Sequence, residues 1–142
     1  MKIYIGSDHG GFLLKNYIKT FLEDQSVDVE DVGTYSADSV DYPEYGKAVA
    51  QKVVANKNSM GIVICGTGIG ISIAANKVCG ARAALCTTST HARLAREHNN
   101  ANILAMGERM TGTELAKDIV HTFLKTEFEG GRHERRVCAI EG

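Results

Sequence analysis

The residues able to do chemistry gather beside glycines. Cys65 heads Cys65-Gly66-Thr67-Gly68-Ile69-Gly70, three glycines within five residues. Glycines let backbone N–H groups approach an anion, and a following helix N-terminus adds partial positive charge. The dinucleotide fingerprint is one residue longer at its last spacing. It also needs an acid about twenty residues on, where this chain has Cys86–Arg93. The Gly-Lys-Ser/Thr of the Walker pattern is absent. The loop therefore suits a small anion or an oxyanion. A thiolate is stabilised near a helix N-terminus, so Cys65 reads as a base or nucleophile, with a buried structural thiol as the alternative.

Asp8-His9 follows an apolar start, and His98-Asn99 closes a helical pattern. An Asp-His pair on a loop can exchange protons with a sugar hydroxyl or bind phosphate. His98 has a plainer reading, as a surface residue at a helix C-terminus. Arg132 and Arg136 share a face if that segment is helical and can hold one phosphate; the plainer reading is a solvated tail. His91, His121 and His133 read as structural. His91 and His98 are seven apart, and two histidines without a third ligand are weak grounds for a metal. Tyr42 and Glu44 read as shaping the turn at Pro43. Cys79, Cys86 and Cys138 have no Cys-x-x-Cys spacing and read as small buried thiols of a reducing compartment.

These residues are positioned by alternating strand and helix patterns. Strands are expected at Lys2–Gly6, Val27–Gly33, Met60–Cys65, Arg82–Cys86 and Asn102–Met106. Met60–Cys65 is a continuous apolar run of the kind found in a central parallel strand. Helical spacing covers Gly11–Glu23, Pro43–Ala55, Ile71–Lys77, Thr90–Glu97, Thr111–Lys125 and Arg132–Ile140, with Thr111 or Thr113 as an N-cap. Such alternation implies an α/β fold with a parallel sheet covered by helices on both faces. Ligands then bind outside the carboxyl ends of the strands. That edge is expected to carry Asp8-His9, Cys65–Gly70, Thr87–Thr90 and Gly107–Arg109, with His98 joining them. Residues 130–142 read as an amphipathic extension docking on a neighbouring chain.

The chain has 142 residues and a formal charge of -1, with 16 Lys+Arg against 17 Asp+Glu. One domain, residues 1–142, fits that length. A broad basic face for nucleic acid is excluded, and no apolar run approaches a membrane span. The expected location is cytoplasmic. All seven arginines lie beyond residue 71, which matters if they converge on a phosphate.

Several of these segments resemble the B-type ribose-5-phosphate isomerases and the related galactose-6-phosphate isomerase subunits. The resembling residues are Gly6–Phe12, Asp41-Tyr42-Pro43, Ile64–Lys77, Glu97-His98-Asn99 and Glu129–His133. The resemblance implies a Rossmann-like three-layer α/β/α sandwich with a five-stranded parallel sheet and a C-terminal helix. It implies a homodimer or dimer of dimers, an active site at the subunit interface, and no metal or organic cofactor. The implied activity is an aldose–ketose isomerase of ribose 5-phosphate and ribulose 5-phosphate, in the pentose phosphate pathway. Cys65 is then the base, Thr67 orients the O1/O2 protons, and Asp8 and His98 help open the ring. His9, Arg109, Arg132 and Arg136 hold the phosphate. Gly66, Gly68 and Gly70 bind enediolate oxygens, and Asn99 orients the sugar. The alternatives are an isomerase of allose 6-phosphate or galactose 6-phosphate, or a non-catalytic phosphosugar-binding module.

Overall fold

The computed structural model describes residues 1–142. The strands are β1 (Lys2–Ser7), β2 (Asp28–Asp31), β3 (Ser59–Cys65), β4 (Ala83–Leu85) and β5 (Ile103–Gly107). The helices are α1 (Phe12–Glu23), α2 (Tyr42–Ala55), α3 (Ile69–Ala75), α4 (Ser89–Asn99), α5 (Thr113–Lys125) and α6 (Arg132–Glu141). The sheet is parallel throughout, in the order β2-β1-β3-β5-β4. This is the expected α/β architecture. No helix is long and apolar enough to cross a membrane.

Alternation along the strands sorts two cores. Ile62 and Ile64 of β3, with Leu104 and Met106 of β5, pack under Leu14 and Ile18 of α1 and Ile119 and Phe123 of α5. Val63 and Cys65, with Ile103 and Ala105, face Val49 and Val53 of α2 and Ile71 of α3. Helices thus cover both faces, as apolar parallel strands require. Chain order reverses between β1 and β3, so their carboxyl-end loops diverge and leave a crevice.

Several boundaries differ from expectation. The α3 helix starts at Ile69, two residues early, because Gly68 turns the chain at φ +80°. The α4 helix starts at Ser89, where the Thr88 hydroxyl accepts the His91 N–H at 3.0 Å. Neither Thr111 nor Thr113 caps α5. Gly112 holds that position, and Thr111 Oγ1 is buried without a partner. Cys79 and Cys138 are exposed, not buried. Only Cys86 of those three is the expected inert thiol, and burial pushes it up to about 12.

Lys15 had no expected role, yet its side chain is wholly buried. Its ammonium reaches Asp31 at 2.7 Å and also bonds the Thr34 carbonyl. Burial lowers its pKa from the usual lysine value, against the opposing pull of Asp31. The ion pair fastens α1 to the end of β2, and the bond to Thr34 ties it to the segment that follows.

Candidate active site

The crevice between β1 and β3 holds the first group of candidate side chains. β3 ends at Cys65, a buried residue that is 4% exposed. Its Sγ accepts the Gly68 N–H at 3.1 Å. Gly68 can be only glycine. Its φ is left-handed, and a Cβ would lie 2.6 Å from Leu85 Cδ1 and 2.7 Å from the Met106 carbonyl carbon. Gly107 is equally constrained, since a side chain there would strike the Thr67 backbone. The loop is thus seated on β5 by two absent side chains. Gly68 N–H is directed at sulfur rather than at a substrate oxygen, while the N–H groups of Gly66 and Gly70, like those of Thr67 and Ile71, have no acceptor inside the chain.

Thr67 is exposed, and its hydroxyl accepts the Ile69 N–H at 3.2 Å, which fixes it at the mouth of the loop. Opposite, Asp8 caps a short 3-10 turn, with Oδ1 accepting the Gly11 N–H at 3.1 Å. His9 Nδ1 lies 3.1 Å from the Val40 nitrogen and 3.2 Å from the Val40 carbonyl oxygen, so Val40 anchors the ring through Nδ1 and leaves its Nε2 edge unbonded. Gly10 brings the two loops together, since a Cβ on it would lie 3.2 Å from Gly66 N.

Arg109 enters from the turn after β5. Its N–H donates to Gly66 O at 3.0 Å, and the guanidinium lies about 3.5 Å from where a Gly66 Cβ would stand. The neighbouring Glu108 accepts the Leu14 N–H at 2.8 Å, tying this turn to the start of α1. Asp8, His9, Cys65, Thr67, Gly70 and Arg109 therefore line one cleft.

Tyr42 lines it too, beyond the turn-shaping role that its place beside Pro43 suggests. It opens α2 and lays its ring across Gly70. The one available signal was Asp41-Tyr42-Pro43 among the resembling segments.

Four predicted residues lie elsewhere in the chain. α4 starts at the carboxyl edge of the sheet and runs back against the strands. Its end, with His98 and Asn99, precedes β5 at the amino edge. The expectation that His98 joins Cys65 on one edge is corrected within a single chain: the length of β5, about 16 Å at 3.3 Å per residue, separates them. His98 instead meets Glu129 and His133. Arg132 and Arg136 are exposed on α6, which packs on α4 through the buried His133 and Val137. Asn99 borders a different cleft, with Cys79, Arg82 and Ile140.

Two other arginines are structural. Arg96 is buried and donates to the carbonyls of Thr126 and Ala101, and Arg82 donates to Asn100 O and pairs with Glu141. The arginine excess is thus partly a set of ties around α4 and α6.

The family described as Ribose/Galactose Isomerase matches residues 3–140. Ribose-5-phosphate isomerase B of Escherichia coli (strain K12) is 50% identical over 139 residues, which cover 98% of this chain and 93% of that protein. The structure of Clostridium thermocellum ribose-5-phosphate isomerase B superposes with a TM-score of 0.98 at 60% identity, covering 99% of this chain and 95% of that one. The Mycoplasma genitalium ribose-5-phosphate isomerase B, solved with bound ribulose-5-phosphate, gives 0.95 at 44% identity, covering 99% and 93%.

Proposed function

We propose that this chain, which belongs to the ribose/galactose isomerase family, interconverts ribose 5-phosphate and ribulose 5-phosphate through a cis-enediolate. The observation that carries the reading is the meeting of Cys65, held as a hydrogen-bond acceptor, with Asp8, His9 and Arg109 in one cleft at the sheet's switch point.

Ribose 5-phosphate is mainly a furanose. Opening it moves the O1 proton away, breaks C1–O4, forms the C1 carbonyl and returns a proton to O4. Asp8 and His98 serve this step. Cys65 then takes the C2 proton and returns it to C1, while negative charge develops on oxygen. The N–H groups of Gly66 and Gly70 face that charge, and preorganised donors of this kind stabilise it without rearranging. Gly68 donates to the base itself, and Thr67 carries protons between O1 and O2. No covalent intermediate is needed.

His9 and Arg109 take the phosphate, but a dianion at one end of an open cleft calls for more positive charge. Arg132 and Arg136 of a second copy supply it, and the same copy brings His98 and Asn99. The site then lies at the interface of a cytoplasmic homodimer or dimer of dimers. Two features support this reading. In one chain these four residues lie outside the Cys65 cleft, and Ile69, Ile73 and Met110 leave an exposed apolar rim beside it.

The test mixes two inactive variants, Cys65→Ala and His98→Asn, after joint unfolding and refolding. In a two-fold dimer with shared sites, half of the sites in each mixed dimer regain both native residues. An equal mixture then recovers about a quarter of wild-type activity. No recovery would show that His98 acts within its own chain or not at all. Full turnover by Cys65→Ala alone would remove the thiol as base.

A further inference from the structure

Three side chains outside the cleft meet without an assigned task as a group: His98 in the last turn of α4, Glu129 after α5, and His133 in the first turn of α6. The two imidazoles are stacked, with centroids 4.4 Å apart and planes 13° from parallel. Glu129 Oε1 lies 3.4 Å from His133 Nε2 and 4.0 Å from His98 Nε2. All three ligand atoms fall within 4.8 Å of one another. The stack nevertheless argues against a metal. Imidazole nitrogens donate in the ring plane, and two near-parallel planes do not converge on one ion.

What the arrangement does achieve is a fixed ring orientation. The His133 side chain is 8% exposed and that of His98 is 38% exposed, so the buried ring is the platform and the other rests on it. The platform is itself fastened. Glu129 N–H donates to Glu97 O at 3.1 Å, and Arg96 Nε donates to Thr126 O at 3.1 Å. Gly130 and Gly131, at φ +69° and +55°, then reverse the chain so that α6 begins over His98. An unstacked histidine at a helix end would sample several rotamers. Glu129 is half exposed, so its attraction for His133 is weak, and the ring stack dominates the contact.

We infer that His133 is a positioning residue for His98: its ring sets the plane in which His98 presents its free edge to a furanose held by the partner copy. This rests on the reading of His98 as the ring-opening group. Orientation of an acid–base group is worth rate only for the step that the group performs. Loss of His133 should therefore harm cyclic substrate and spare a substrate that never closes.

The experiment compares kcat/KM for ribose 5-phosphate with that for its 4-deoxy analogue, which lacks O4 and stays open. His133→Ala is expected to lose about tenfold or more on ribose 5-phosphate and less than about twofold on the analogue. His133→Phe keeps a flat ring and is expected to recover most of the loss. Equal losses on both substrates would overturn the inference, since a loosened α6 would carry Arg132 and Arg136 away and penalise both. So would a Phe variant no better than Ala. His98→Asn is the control. If it shows no preference against the cyclic substrate, the ring-opening reading falls. If it does and His133→Ala does not, only the positioning falls.

Discussion

Gly70→Ala separates the architecture of the site from the stability of the fold. Gly70 is the second residue of α3, so alanine there meets no backbone conflict and gains about 1 kcal/mol of helix preference. Its methyl, however, would stand 2.5 Å from Tyr42 Cζ and 2.8 Å from the Tyr42 hydroxyl. Carbon contacts rest near ~3.5–4.0 Å, so the ring must retreat by about 1 Å or more. Tyr42 is 40% exposed, and the retreat is into solvent at about 0.5–1.5 kcal/mol if the side chain leaves its rotamer. The two contributions nearly cancel, and the melting temperature is expected to change by no more than a few degrees. Activity should not be spared. The Gly70 N–H survives, but the cleft wall that Tyr42 forms moves, and displacement of about 1 Å can cost up to ~100-fold in rate. A fall of roughly tenfold or more in kcat/KM is expected, measured by steady-state kinetics beside a thermal melt. The double variant decides the cause. In a Tyr42→Ala background, Gly70→Ala should cost nothing further, because the group it displaces is gone. Full activity in Gly70→Ala, or an undiminished loss in the double variant, would refute the reasoning.

Other expectations concern the core, the thiols and the phosphate. Lys15→Met leaves Asp31 with the Gly33 N–H and the partly exposed Lys19 ammonium at 3.6 Å, and should cost about 3 kcal/mol, a drop of about 10 °C in Tm by calorimetry. Alkylation of the native protein followed by mass spectrometry should label exposed Cys79 and Cys138 and leave Cys86 untouched until unfolding. Cys86 keeps its proton to about 12 when folded but loses it from about 9.0 when unfolded. Its contribution to stability is therefore complete below pH 9 and is lost as the pH rises toward 12. Denaturant titrations of wild type and Cys86→Ala should converge over that range. Arg136→Ala should lower kcat as well as raise KM for ribose 5-phosphate, since phosphate binding orients the reacting carbons. A change in KM alone would mean that the arginine only anchors.

The alternation of apolar runs with helical spacing was enough to read five strands, six helices and their parallel arrangement, because burial on both faces leaves a local imprint on each strand. The loop chemistry was legible for the same reason. Cys65–Gly70 and Asp8-His9 each follow a strand directly, so their place on the carboxyl edge is a local property. Contacts distant in sequence left weaker traces. Nothing beside Lys15 announces that Asp31 will bury it. Nothing at Tyr42 announces a ring lying on a glycine 28 residues away. The direction of α4 sends His98 to the far edge of the sheet, and the turn at Gly130-Gly131 brings His133 onto it. By itself, the sequence determined which residues could act and which loops present them, since those depend on short-range pattern. Only the tertiary structure decided which of them meet in one chain, because that depends on how long-range packing orients whole helices.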